Sequence, residues 1–111
     1  MSSLEICFVD PISEKHVYKT PSGQELKLRK HDGVLAVYVG DERIGHIWVS
    51  DSRGSGSIFA RRRDSGFLPV GEYSYGPNGY TVIPYVDGMK DTSLRREVHP
   101  LDFLVEVLDL E

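Results

Sequence analysis

The chain has 111 residues, with 13 basic and 17 acidic side chains and a net charge of −4. Its 40% hydrophobic and 27% charged residues fit one globular domain spanning 1–111 and exclude wholesale disorder. The acidic balance also excludes a uniformly basic nucleic-acid coat protein.

Glu5 and Asp10 interrupt the N-terminal segment, so no signal peptide is expected. Cys7 is the only cysteine, which excludes an intrachain disulfide and a zinc ribbon and makes a reducing cytoplasm the expected compartment. The longest uncharged apolar stretch, Gly33 to Gly40, falls short of the roughly 20 residues a membrane helix needs. Leu4 to Val9 and His16 to Thr20 are short strand candidates.

Period-two alternation then dominates. Residues 24–30 place Leu26 and Leu28 on one face and Lys27 and Arg29 on the other. His31-Asp32-Gly33 supplies a turn, and the apolar run Val34 to Val39 reads as a strand buried on both faces. Gly40-Asp41-Glu42 turns the chain into a strand over Arg43 to Ser50, where alternation groups Ile44, His46 and Trp48 against Ile47 and Val49. These three strands form an antiparallel meander.

Asp51 to Gly56 is a loop by composition, Ser57 to Arg63 a short strand, and Asp64-Ser65-Gly66 its end. Glu72 to Tyr75 and Tyr80 to Tyr85 flank Gly76-Pro77-Asn78-Gly79, a well-signalled hairpin. Pro84 places the second of these strands at a sheet edge or ends it. At the C-terminus Leu101, Leu104, Val105 and Leu108 have helical spacing behind Pro100, while Phe103, Val105 and Val107 alternate as in a strand. Leucine content and Asp102 in the first turn favour helix.

The expected fold is α+β, mainly antiparallel β: a small curved sheet, open barrel or roll of β-meander hairpins with one C-terminal helix. Its expected core comprises Leu26, Leu28, Leu35, Val37, Val39, Ile44, Trp48, Ile58, Val82, Leu104 and Leu108.

Charge is segregated. Residues 1–14 hold three acids and no base, residues 15–63 ten bases against five acids, and residues 64–111 three bases against nine acids. Either basic and acidic strands pair across the sheet, or a bipolar surface steers a charged partner.

Arg61, Arg62 and Arg63, with Arg53 across the glycine-serine loop, have the guanidinium chemistry to grip phosphates or carboxylates. Alternation separates Arg62 from its neighbours, and a solvated, aggregation-blocking strand end is the plainer role. Tyr73, Tyr75, Tyr80 and Tyr85 suit a protein-binding hot spot or base stacking, against ordinary strand usage. His16, His31, His46 and His99 include no i, i+4 pair, so no metal site is expected. Cys7 lies in an apolar strand pattern that argues against a nucleophile. The chain has no nucleophile elbow, P-loop or dinucleotide fingerprint, and no cofactor is expected.

The expected function is therefore a non-catalytic protein-binding module, an adaptor or an inhibitor of the kind phages or plasmids encode. It would act through its segregated charge and the tyrosine-rich hairpin. The alternative is a small β-barrel that binds single-stranded nucleic acid through Arg53 and Arg61 to Arg63. A third reading is an enzyme with an unrecognised site near Cys7 and a histidine.

Overall fold

The computed structural model describes residues 16–49, 54–62 and 66–109. Cys7, the Leu4 to Val9 strand candidate, Arg53 and Arg63 lie outside the described residues. Eight strands succeed one another: β1 Val17–Lys19, β2 Glu25–His31, β3 Val34–Val39, β4 Glu42–Val49, β5 Ser55–Arg62, β6 Gly66–Gly76, β7 Gly79–Val86 and β8 Met89–Lys90. Each pairs antiparallel with the next, so the sheet order is the chain order. The helix α1, Pro100–Asp109, follows a 3-10 turn at Thr92–Leu94.

Turn chemistry sets the meander's registers. His31 pairs with Val34 around Asp32 and Gly33, whose φ values of 46° and 82° make the type I′ geometry that matches strand twist. Asp87 and Gly88, at 53° and 79°, repeat it between Val86 and Met89. That last hairpin adds β8, which residue patterning does not announce.

Two irregularities decide which side chains face inward. In the β3–β4 ladder Val37 pairs with Gly45 but Tyr38 with Arg43, leaving Ile44 as the extra residue of a bulge. Ile44 therefore turns inward with Ile47, while His46 and Trp48 face outward. The expected grouping of Ile44 with His46 and Trp48 is thus corrected: Trp48 is 54% exposed and Ile47 is fully buried in the core. In the β5–β6 ladder Ile58 pairs with Gly71 and Phe59 with Pro69, so Val70 is the extra, buried residue. The bulge lets a strand carry Pro69, which has no N–H for the ladder.

Pro84 ends the β6–β7 ladder at its pair with Gly71. The strand itself neither ends there nor forms an edge, because β7 continues to pair with β8 and the Pro84 carbonyl accepts the Asp91 N–H at 3.0 Å.

The core lies on the concave side: Leu26 and Leu28 of β2, Leu35 and Val37 of β3, Ile47, Ile58, Ala60, Tyr73 and Val82, with Leu101, Phe103 and Leu104 of α1. Val39 and Leu108 pack at its margin. Burying such a Leu or Ile side chain stabilises the fold by about 1.5–3 kcal/mol. The sheet does not close into a barrel; α1 packs on β5, β6 and β7 instead. The approach is close. A Cβ at Gly45 would run into the Phe59 carbonyl and come within 3.1 Å of both Leu104 methyls, and one at Gly71 would lie 3.1 Å from Phe103.

The helix start is built from its neighbours. Pro100 has no N–H to satisfy, and the His99 Nδ1 accepts the Leu101 N–H at 3.1 Å. Tyr18 of β1 stacks on His99 with ring centroids 4.3 Å apart and donates its hydroxyl to both Asp102 carboxylate oxygens at 3.1 and 3.0 Å. The first strand and the C-terminal helix are thereby tied together across the open side.

Candidate binding surface

The register places a continuous row on the convex face. Arg29 pairs with Ala36, Ala36 with His46, His46 with Phe59, and Phe59 with Pro69. One row along, Val34 pairs with Trp48 and Trp48 with Ser57. Aromatic side chains meet where these rows cross β4 and β5. His46 stacks on Phe59 at 4.6 Å and 15°, Trp48 tilts against Phe59 at 5.4 Å, and Phe67 tilts against His46 at 5.4 Å. The Arg43 guanidinium lies 5.1 Å from the centre of the Phe67 ring.

This patch stands on the opposite side of the sheet from the core, because each strand alternates. Burial by the patch lowers the His46 pKa from its ordinary value, and the Arg43 charge adds to that. The His46 Nδ1 and Arg43 Nε are shielded from solvent and have no hydrogen-bond partner among the described residues. At the patch border Arg61 forms an ion pair with Glu42 at 2.6 Å and also donates to the Arg43 carbonyl at 3.4 Å.

Arg62 faces the other way and lines a groove beside α1. The alternation expected between Arg61 and Arg62 holds, so these two arginines do not converge. Lys90 pairs with Glu72 at 3.3 Å and Arg96 with Glu106 at 2.6 Å, both within the acidic half of the chain.

The hairpin tyrosines are distributed rather than displayed. Tyr73 is 3% exposed and belongs to the core. Tyr80 contacts Tyr75 at 4.7 Å and His99 at 4.6 Å, extending the inner chain of rings that starts at Tyr18. Tyr85 turns its hydroxyl to Glu72 at 3.3 Å, and burial, followed by the Glu72 charge, pushes its pKa up. Burial removes Tyr73 from the base-stacking role that was one of the options for these tyrosines, because the face it points to is where the core forms.

Sequence patterning missed the cluster of Trp48, Phe59, Phe67 and Arg43. Alternation in Arg43 to Ser50 does carry the signal, but the bulge at Ile44 reverses which half of it is buried.

Among the described residues no three His, Cys, Asp or Glu side chains gather as a metal site, and no helix is long and apolar enough to cross a membrane. The described residues form an open, eight-stranded antiparallel meander capped by a C-terminal helix. No protein-family model matches the chain, and neither a curated protein nor a solved structure matches it.

Proposed function

We propose that this protein is a non-catalytic protein-binding module whose docking surface is the convex face of β3 to β6. One observation carries the reading: the chain's single tryptophan, Trp48, is 54% exposed beside Phe59 on the face opposite the core. Leaving an aromatic ring in water forgoes burial energy that docking would recover, and Trp and Arg are enriched among residues that dominate protein interfaces.

Ring geometry favours protein over single-stranded nucleic acid. A base stacks on an open ring face, and the Phe59 and His46 rings each have one face covered by the other. The Arg61 charge is already matched by Glu42, which weakens its attraction for phosphate. A partner that meets the rings at their edges, with apolar and aromatic side chains, suits this surface better.

The test compares wild type with Trp48→Ala and with Met89→Ala, an exposed site away from the patch. A stoichiometric partner isolated under native conditions should bind wild type and Met89→Ala alike, and Trp48→Ala about thirtyfold more weakly. Trp48 emission should shift to the blue as that partner is added. A partner indifferent to Trp48→Ala overturns the proposal. So does steeply salt-dependent binding of a single-stranded oligonucleotide that Trp48→Ala abolishes.

A further inference from the structure

A meander keeps sequence neighbours as spatial neighbours. Residues 15–63 hold ten bases against five acids, and residues 64–111 three bases against nine acids. Because the sheet order is the chain order, β1 to β4 lie side by side, and β5 separates them from the strands of the acidic half. The acids of α1 are no closer to their convex face, since the helix packs on the concave side. Segregation of charge along the chain thus becomes segregation across the sheet.

On the convex face Lys27 pairs with Tyr38 and Tyr38 with Arg43, so two cations flank one ring. The Arg29 guanidinium lies 5.9 Å from the centre of the same ring. Lys27 and Arg29 are exposed, Arg43 is half-buried, and none of the three forms an ion pair with a described residue. Arg61, Lys90 and Arg96, by contrast, each hold a glutamate. Of the acids within β1 to β4, Glu25 faces Lys19 across the ladder and Glu42 is the one held by Arg61. Three positive charges therefore surround Tyr38 with no acid of their own. The row of Arg29, Ala36, His46 and Phe59 joins them to the rings beside Trp48.

Taking the convex face as the docking surface proposed above, we infer that its partner presents an acidic protein segment, with carboxylates around Tyr38 and apolar side chains on Trp48 and Phe59. Charge complementarity selects the acids: guanidinium forks and an ammonium form short, strong hydrogen bonds with carboxylates, and a basic segment would meet like charge. Apolar area selects the neighbouring side chains, because Trp48 gains nothing from a purely hydrophilic anion. The chain's net charge of −4 repels an acidic partner elsewhere, so the local cations also orient its approach.

The probe is a synthetic peptide with a glutamate triplet followed by leucine, tyrosine and leucine, titrated into the full chain at low salt and followed by Trp48 emission and calorimetry. Saturable binding is expected, with the glutamine and lysine counterparts at least about tenfold weaker. Lys27→Glu and Arg29→Glu should each weaken it by about fivefold, and Arg95→Glu, an equal charge change at an exposed site off this face, by no more than about twofold. Circular dichroism and the urea midpoint establish that each variant is folded. Failure of the glutamate peptide to bind, or equal weakening by Arg95→Glu and Arg29→Glu, overturns the acidic partner. Equal binding of the glutamate and glutamine peptides, both lost in Trp48→Ala, overturns the acidic partner but leaves the docking surface standing. Glutamate-peptide binding that Trp48→Ala leaves unchanged removes the docking surface itself. Oligothymidylate binding more tightly than the peptide, and lost in Lys27→Glu, would make the face a nucleic-acid surface and overturn the acidic partner as well.

Discussion

His46 occupies the convex face in its neutral form because burial among Phe59 and Phe67, and then the Arg43 charge, oppose its protonation. Its folded pKa lies below the ordinary value of about 6.5, so the folded state binds fewer protons than the unfolded chain. The stability this supplies is complete above pH about 6.5 and is lost as pH falls through the folded value. His46→Phe removes the titration and keeps the ring stack. Between pH 7 and 5 its urea midpoint should decline less than that of wild type, and parallel declines would show that His46 is not responsible. Residue type and position alone do not reveal this. The histidine reads as a generic half-buried strand residue until the Ile44 bulge places it outward, beside Arg43 and between two phenylalanines.

At the scale of elements, the seat of α1 is cut by glycine. Gly45 and Gly71 lie under Leu104 and Phe103, where a methyl group has no room without movement. Gly45→Ala forces the helix away from β4 or distorts the strand, an overpacking cost of about 1–3 kcal/mol. Gly76, where a Cβ would meet nothing within 4 Å and φ is not positive, is the matched control. Gly76→Ala should shift the unfolding free energy by no more than about 0.5 kcal/mol in a denaturant titration. Strand existence was readable from alternation across 24–30 and 43–50, from the apolar run 34–39 and the short stretch 57–63, and the hairpin from Pro-Asn-Gly. The stretch Gly66 to Val70 was not readable as strand. Pro69 and Gly71 oppose strand propensity locally, and only the bulge opposite Ile58 and Phe59 makes room for them.

Over the whole molecule, an unclosed sheet needs something to hold its open side. The contact between Tyr18 and Asp102 joins residues 84 apart in sequence, linking the first described strand to the last helix. Burial, the Asp102 hydrogen bond and the Asp102 charge push the Tyr18 pKa up to about 12, so the hydroxyl remains a donor throughout the physiological range. Burial raises the Asp102 pKa, which the Tyr18 bond partly opposes. Tyr18→Phe keeps the stack on His99 but leaves the half-buried carboxylate without this donor, a cost of about 1–2 kcal/mol. A double-mutant cycle with Asp102→Asn should return a coupling of at least about 0.5 kcal/mol in urea unfolding, whereas additive losses would mean that the two act separately.

The net charge of −4 determined little by itself, and it was strand alternation that anticipated the opposed faces of Arg61 and Arg62. Sequence alone determined the central meander, its turns at Asp32-Gly33 and Pro77-Asn78 and a preference for a C-terminal helix, because alternation, turn residues and Pro100 act over a few neighbouring residues. The Asp87-Gly88 hairpin and β8 were not read from it. Tertiary structure decided the face each side chain takes. One inserted residue in a ladder reverses every alternating position beyond it, and that reversal is what carried Trp48 from the expected core to the surface.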